Sequence, residues 1–205
     1  AGSASGALVA IIVLGSTPAA TSIGAVIGGV ASGALILALA GGTRLAGARV
    51  VLVGIGASAA LRALNSLLLV KAPLEAAQRA QMWSAGSLSG VTTVRAVALV
   101  AALGACMPAL AWLSRPLSLI PLGDDAATAL GARSGRTRLV AVCTGIVLVS
   151  MATATAGPVA FVALAAPHVA HRLAGAPGSL LVPSAAVGAL LVLGSDIVAQ
   201  RLIAP

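Results

Sequence analysis

Long apolar runs separated by short polar segments occupy almost the whole chain. We predict membrane-crossing helices at about 22–40, 50–70, 91–113, 139–156, 159–173 and 180–203, with residues 7–14 as the end of a further one. An α-helix needs about 20 apolar residues to cross the hydrocarbon core of a bilayer, so the run at 159–173 is unusually short. The first complete run carries small-xxx-small spacings, which predict close helix contact, at Gly24, Gly28, Gly29 and Gly33.

The longest polar interruption is RPLSLIPLGDDAATALGARSGRTR, residues 115–138, which holds six of the sixteen Asp, Glu, Lys and Arg residues. Within it, Gly123, Asp124 and Asp125 open a short helical pattern that Gly131 closes. An aspartate at the N-cap or in the first turn suits the positive end of a helix, and glycine ends a helix in the left-handed conformation. Such a two-turn helix is shorter than the ~12–15 residues that are marginally stable alone, so it must dock on another surface. It is either an element that couples a soluble partner to the membrane domain or an ordinary interfacial helix.

Composition places the chain among multi-pass membrane proteins, because 60% of its residues are hydrophobic, 8% are charged and the mean hydropathy is +1.12. The net charge of +8 does not indicate nucleic-acid binding, since the basic residues are scattered at span ends without an aromatic platform. Seven of the twelve lie on the side of the loops at 41–49, 114–138 and 171–182, and three lie on the other side. By the positive-inside rule, residues 115–138 are therefore a cytoplasmic loop and residues 72–90 a periplasmic segment.

One run contains polar residues that share a helix face. Ser58, Arg62, Asn65 and Ser66 follow one another at i, i+4, i+7 and i+8 within the span 50–70. A charge this far inside a span faces a bundle interior or water rather than lipid, so we predict that this face lines a translocation path. A purely structural arginine bonded to carbonyls of a neighbouring helix is the alternative. A guanidinium in the path favours an anionic cargo.

Other polar residues suggest contacts with partners rather than chemistry. Arg79 offers positive charge to the carboxylates of a docking protein, with Trp83 as an interfacial anchor; a solvated interfacial helix is the alternative. His168 and His171 lack a carboxylate or thiol neighbour in sequence, so no metal site is predicted. The chain has no Gly-Lys-Ser/Thr phosphate-binding loop, so we expect no ATP site in it and no enzymatic activity of its own.

Several segments resemble one family of transport proteins. AGPVAFVALAAPHVAHRL (156–173) is similar to the AGPIGFVGLIVPHIARRL signature of FecCD-type permeases, the membrane subunits of ABC importers for ferric siderophores, haem and vitamin B12. Further resemblances, in the order of the family, are GSASGA (2–7), LVGIGASAALRALNSLLL (52–69), MWSAGSLSG (82–90), LSLIPLGDDAATALG (117–131) and LGSDIVAQRL (193–202).

The resemblance implies an all-α polytopic transmembrane helix bundle of the type II ABC importer permease kind, with residues 1–205 as part of a single permease domain. The family has ten spans, of which about seven are expected here. The residues expected to couple to the ATPase are Leu122, Gly123, Asp124, Asp125, Leu130, Gly131 and Arg133. Those that match structural motifs of the family are Gly157, Pro158, Pro167, His168 and Asp196. Gln200 stands where the family usually has the arginine that would neutralise Asp196, four residues earlier.

By this resemblance we expect a permease subunit of a bacterial cytoplasmic (inner) membrane importer, with no cofactor of its own. Its expected partners are a second permease (identical or paralogous), cytoplasmic subunits that bind ATP, an extracytoplasmic binding protein and the lipid bilayer. The cargo favoured by Arg62 is a ferric siderophore with carboxylate or phenolate groups. A B12 or haem importer of the same fold and a stand-alone secondary transporter are the alternatives, and a docking loop such as 115–138 argues against the last.

Overall fold

The computed structural model describes residues 1–13, 17–41, 47–88, 90–120, 123–131, 134–159, 161–175 and 180–203. In these ranges the chain forms helices and no strand, so the predicted all-α class is confirmed. The helices are α1 (Gly2–Val13), α2 (Pro18–Leu39), α3 (Gly47–Lys71), α4 (Leu74–Ala85), α5 (Thr93–Leu119), α6 (Asp124–Ala129), α7 (Ser134–Ala156), α8 (Val162–Ala174) and α9 (Leu181–Val198), which a π-helical turn (Ala199–Ile203) follows.

Two compact units make up the chain. The first contains residues 1–111 and 135–158, and the second contains residues 112–134 and 159–205. Within the first unit, α1 packs against α2, α3 and α4, and α2 also contacts α3. Within the second unit, α8 packs against α9.

Five of the described helices are long and apolar enough to cross a membrane. They coincide with five of the predicted crossings, at Pro18–Leu39, Ala48–Lys71, Thr93–Leu119, Ser134–Ala156 and Leu181–Arg201. The helices at the two remaining predicted positions are shorter: α1 has 12 residues and α8 has 13. At 1.5 Å per residue they extend about 18 and 20 Å, less than the ~30 Å hydrocarbon core. Helix α8, which has both of its ends within the described residues, therefore does not cross the core as a single straight helix.

Several helices extend beyond the apolar runs from which they were predicted. Pro18 opens α2 at its first position, where the missing N–H of proline costs nothing. Helix α5 continues through Arg115 to Leu119, and α7 begins at Ser134, so the helices take up much of the predicted loop 115–138. The long stem of arginine allows a membrane helix to continue past its apolar core while the charge reaches the interface. A basic residue was therefore a poor marker of where these helices end.

Small residues form the contact between α1 and α2. A Cβ atom built on Gly28 would lie 2.5 Å from the carbonyl oxygen of Gly2 and 2.7 Å from the Cα atom of Gly6. Gly24 also faces Gly6, and Gly33 faces α7, where a Cβ built on it would lie 2.6 Å from the nearest side-chain atom of Ile146. The close helix contact predicted from the glycine spacings is therefore present. Ala7 and Ala25 lie fully buried in the same part of the core.

Candidate translocation face, docking helix and coupling segment

A polar stripe runs along α3 and is held together by its own hydrogen bonds. The Nη2 of Arg62 donates to the Oγ of Ser58 at 3.3 Å, and the Oγ of Ser66 donates to the carbonyl oxygen of Arg62 at 3.1 Å. Arg62 and Ser66 are exposed and Ser58 is half-buried. In its most apolar 18 residues α3 buries none of them, so the stripe lies on an open surface of the first unit. The structure thus brings three of the four predicted path residues together.

Asn65, the fourth residue predicted for the path, faces a different neighbourhood. Its Oδ1 atom is buried and has no hydrogen-bond partner. It adjoins a cavity of about 100 Å³ between α1, α3 and α4, which Leu8, Ala80 and Trp83 also line. Asn65 therefore lies at the edge of the stripe and is turned towards the inside of the unit. A helical wheel could not reveal this, because it gives the angle of a side chain but not which helices lie opposite.

The predicted docking segment forms the amphipathic helix α4. The Nη2 of Arg79 lies 3.2 Å from the Oε2 of Glu75, one turn earlier, and its Nε donates to the Glu75 carbonyl oxygen at 3.2 Å. The positive charge of Arg79 is thus paired within the helix. Trp83 is half-buried and packs against the core cluster of Ala7, Ala25 and Ala154, so it also has a structural role. The docking role of Arg79 and Trp83 stays a prediction.

The segments MWSAGSLSG (82–90) and AGPVAFVALAAPHVAHRL (156–173) meet at the end of α7. The N–H of Ser87 donates to the carbonyl oxygen of Ala156 at 2.9 Å. Gly86 and Gly157 both have positive φ, +70° and +79°, and a Cβ on Gly157 would lie 2.8 Å from the Cα of Gly86. Both positions therefore need glycine for the backbone angle, and Gly157 needs it for space as well. Pro158 follows directly. A glycine–proline pair in the sequence predicts a turn, but it does not predict which other segment that turn contacts.

The candidate coupling segment contains the short helix α6, as predicted. It is bounded by Gly123 and Gly131, whose φ angles are +97° and +83°. The N–H of Ala127 donates to the Gly123 carbonyl oxygen at 2.9 Å, and the N–H of Gly131 donates to the Thr128 carbonyl oxygen at 2.9 Å. Gly123 therefore precedes the first turn and Asp124 is the first helical residue, which leaves dipole stabilisation rather than N-capping as its predicted role. Leu130 is exposed, while Leu122 and Arg133 lie outside the described residues.

Helix α8 carries two of the predicted structural residues. Phe161 precedes it with a positive φ of 72°, Pro167 lies inside it, and His168 is exposed one residue later. Gly175 ends the helix in the left-handed conformation. In the part of the chain that the structure describes, no three His, Cys, Asp or Glu residues come together in a way that could hold a metal ion.

Asp196 of α9 has a neutral partner in place of the arginine of the family pattern. The Nε2 of Gln200 donates to its Oδ2 at 2.7 Å, where α9 passes into the π-helical turn. The amide supplies a hydrogen bond but no opposite charge. An i,i+4 amide–carboxylate pair is a known helix contact, so this partner could have been read from the sequence.

Five helices of membrane-crossing length, a polar stripe along one of them and a short glycine-bounded helix between two others are the features of a multi-pass α-helical transport protein. The model of the FecCD transport family matches residues 1–205, and the chain belongs to this family. The resemblance predicted from the motifs is thereby confirmed. The family consists of transport permeases and not of enzymes.

Named relatives and a solved structure agree with this assignment. The chain is 40% identical over 204 residues to the ferric enterobactin transport system permease protein FepG of Escherichia coli (strain K12), covering 100% of this chain and 62% of FepG. It is 38% identical over 167 residues to FepD of the same system and organism, covering 80% of this chain and 49% of FepD. A solved inward-facing structure, described as an ABC transporter of the metal-chelate type, superposes with a TM-score of 0.87 at 28% identity, over 98% of this chain and 65% of that one. The chain thus spans about half to two thirds of the length of these proteins.

Proposed function

We propose that this protein is the permease of a binding-protein-dependent ABC importer that carries ferric siderophores across the bacterial cytoplasmic membrane. The observation that carries the proposal is the similarity to a ferric enterobactin permease along the full length of the chain. Energy for transport comes from ATP bound and hydrolysed by partner subunits in the cytoplasm. An extracytoplasmic binding protein delivers the chelate to the side of α4.

Two relatives support a second, paralogous permease as the partner in the membrane. FepG and FepD are both named as permeases of one ferric enterobactin system in one organism, and both resemble this chain. Two different permease chains therefore serve that system. We propose the same arrangement here, with the exposed surface of α3 contributing to the path between the two permeases.

The α3 stripe supplies the chemistry that an anionic chelate requires. The guanidinium of Arg62 keeps donors available beside its bond to Ser58, and guanidinium groups bind carboxylate and phenolate oxygens with geometric specificity. The distance along the helix from Ser58 to Ser66 is about 12 Å, so several oxygens of one chelate can be contacted. Exposed apolar side chains on the same helix face, such as Ile55, lie beside the stripe and hold the cargo weakly, as release demands.

Uptake by cells that lack their own siderophore permeases tests the substrate class. We expect the full-length protein, expressed with its ATPase, partner permease and binding protein, to restore uptake of radiolabelled iron presented as an anionic catecholate chelate. Vitamin B12 and haem serve as the competing substrates. Uptake of B12 or haem without uptake of any ferric siderophore would contradict the proposal.

Coupling through α6 is tested by the double variant Asp124→Ala, Gly131→Val. Valine at the positive φ of Gly131 costs about 1–3 kcal/mol of backbone strain, and loss of Asp124 removes about 0.3–1 kcal/mol of dipole stabilisation. We expect binding of the full-length permease to its ATPase, measured by co-purification, to weaken about tenfold or more while membrane insertion is unchanged. Ala129→Ser, an exposed change in the same helix that keeps Asp124 and Gly131, is the matched control. Normal stimulation of the ATPase by the double variant would exclude this role for α6.

A further inference from the structure

An apolar groove of about 280 Å³ opens on the first unit between α2, α5 and α7. Its walls are formed by Ile23, Val26, Ile27, Ala98 and Met151, and Arg95 lies among the lining residues. Ile23 and Ile27 are 60% and 62% exposed, so the groove is open to its surroundings. The three helices that form the groove, α2, α5 and α7, are each long and apolar enough to cross a membrane, so the groove lies at the depth of the bilayer. This groove is separate from the α3 stripe and from the coupling segment.

Arg95 forms part of a polar rim at one end of the groove. It is the third residue of α5, and its Nη2 donates to the carbonyl oxygen of Pro18, the first residue of α2, at 2.8 Å. At the same level, the Oγ of Ser22 donates to the carbonyl of Ala154 near the end of α7 at 3.2 Å. The start of α2, the start of α5 and the end of α7 therefore meet there. Arg95 lies at the depth where a span begins, which is where lipid headgroups are.

The charge of Arg95 is not matched by an acidic residue of its unit. Glu75 is the one acidic residue in the sequence of residues 1–111 and 135–158, and its carboxylate is paired with Arg79 at 3.2 Å. Arg95 also lies in the first turn of α5, where the helix dipole adds positive rather than negative potential. The Pro18 carbonyl satisfies one donor of the Arg95 guanidinium but does not neutralise its charge. The arrangement therefore attracts an anion from outside the unit.

We propose that the groove binds an anionic phospholipid, with its phosphate on the Arg95 guanidinium and the first part of an acyl chain along Ile23, Ile27 and Ala98. A free phosphate would fill the rim but leave the apolar walls uncovered. An apolar helix of another protein would cover the walls but leave the charge without a counterion. A lipid supplies both parts, and phosphate oxygens accept the parallel hydrogen bonds that a guanidinium offers. The site would tie the ends of α2, α5 and α7 together at the membrane surface.

Native mass spectrometry of the full-length protein in mild detergent tests the site, with phosphatidylglycerol and phosphatidylcholine as probes. We expect Arg95→Gln, which keeps a polar side chain but loses the charge, to retain phosphatidylglycerol about fivefold less well. Arg95→Lys should retain it almost as well as the unchanged protein. Lys71→Gln, the same loss of charge at the exposed end of α3, is the control and should have no effect. Binding of phosphatidylcholine should be weak and should not depend on Arg95.

Filling the groove gives an independent measurement. Ala98→Phe leaves Arg95 in place but occupies the space for the acyl chain, so phosphatidylglycerol retention should fall while added inorganic phosphate at millimolar concentration displaces little of the lipid. Equal retention of phosphatidylglycerol by Arg95→Gln and the unchanged protein would overturn the proposal. Full displacement by inorganic phosphate, or no effect of Ala98→Phe, would equally overturn it, because either result means that the groove does not hold the lipid.

Discussion

The full-length protein carrying Gly28→Leu is expected to lose most of its folded population. A Cβ at this position would lie 2.5 Å from the Gly2 carbonyl oxygen and 2.7 Å from the Cα of Gly6, and these are backbone atoms of the facing helix. A backbone cannot rotate out of the way as a side chain can, so α1 and α2 would have to separate. Inserting extra atoms into a well-packed core costs about 1–3 kcal/mol even where side chains can move, so we expect a loss of at least about 3 kcal/mol.

Gly104→Leu is the matched control for this change. Gly104 lies within the membrane-crossing helix α5, and a Cβ built on it meets no atom within 4 Å. Gly104→Leu is therefore the same substitution in a membrane-crossing helix, without the steric clash. Thermal unfolding in detergent and the monodisperse fraction on size-exclusion chromatography report the outcome. Equal stability of the two variants would mean that α1 and α2 do not pack through Gly28.

Arg62→Ala is expected to lower uptake of an anionic ferric chelate by about 10- to 100-fold. Hydrogen bonds to a charged group contribute about 1.5–3 kcal/mol, and the alanine side chain supplies none. Arg62→Lys should keep part of the activity, because it keeps the charge but not the planar fork. Leu67→Ala on the same helix, also exposed, controls for loss of side-chain volume. A neutral ferric chelate should be affected much less than an anionic one.

Cysteine labelling along α3 separates a path residue from a structural one. In the full-length transporter we expect cysteines at positions 58, 62 and 66 to react with a water-soluble reagent and a cysteine at position 65 to be protected. The difference follows from the exposed stripe and from the buried Oδ1 of Asn65. Uniform protection together with normal uptake by Arg62→Ala would show that the arginine serves the structure of the bundle and not the path.

The membrane-crossing helices could be predicted from the sequence because each one is a continuous apolar run, and hydrophobic length is a strong signal. A close helix contact at Gly24 and Gly28 was also predictable from their spacing, but the spacing did not identify α1 as the partner. Helix ends were less predictable. Helix α2 begins at Pro18, one turn before the predicted start at 22, and Arg115 lies in α5 rather than in a loop. A polar residue indicates where a helix reaches the membrane surface. It does not indicate the last hydrogen-bonded turn of that helix.

In the candidate sites too, contacts between residues close in sequence could be predicted, and contacts between distant residues could not. The glycine-bounded helix α6 and the Arg62–Ser58 contact follow from spacings within a few residues. The Glu75–Arg79 pair has the same i,i+4 spacing and could have been predicted from it. The position of Asn65 between α1 and α4 depends on tertiary packing, and one sequence does not contain that information. The same holds for the open groove beside Arg95.

The meeting of Gly86 with Gly157 restricts how this permease can be recombined with its relatives. A chimera whose crossover falls between these two glycines takes one of the contacting turns from each parent. A larger residue at position 157 would then place its Cβ 2.8 Å from the Cα of Gly86, and one at position 86 would place it 3.2 Å from the Pro158 carbonyl oxygen, even if each half is intact in its own protein. Crossovers before residue 83 or after residue 158 keep Trp83, Gly86 and Gly157 from a single parent. Exchange of substrate specificity between permeases should therefore succeed most often when this pair of turns is inherited as one block.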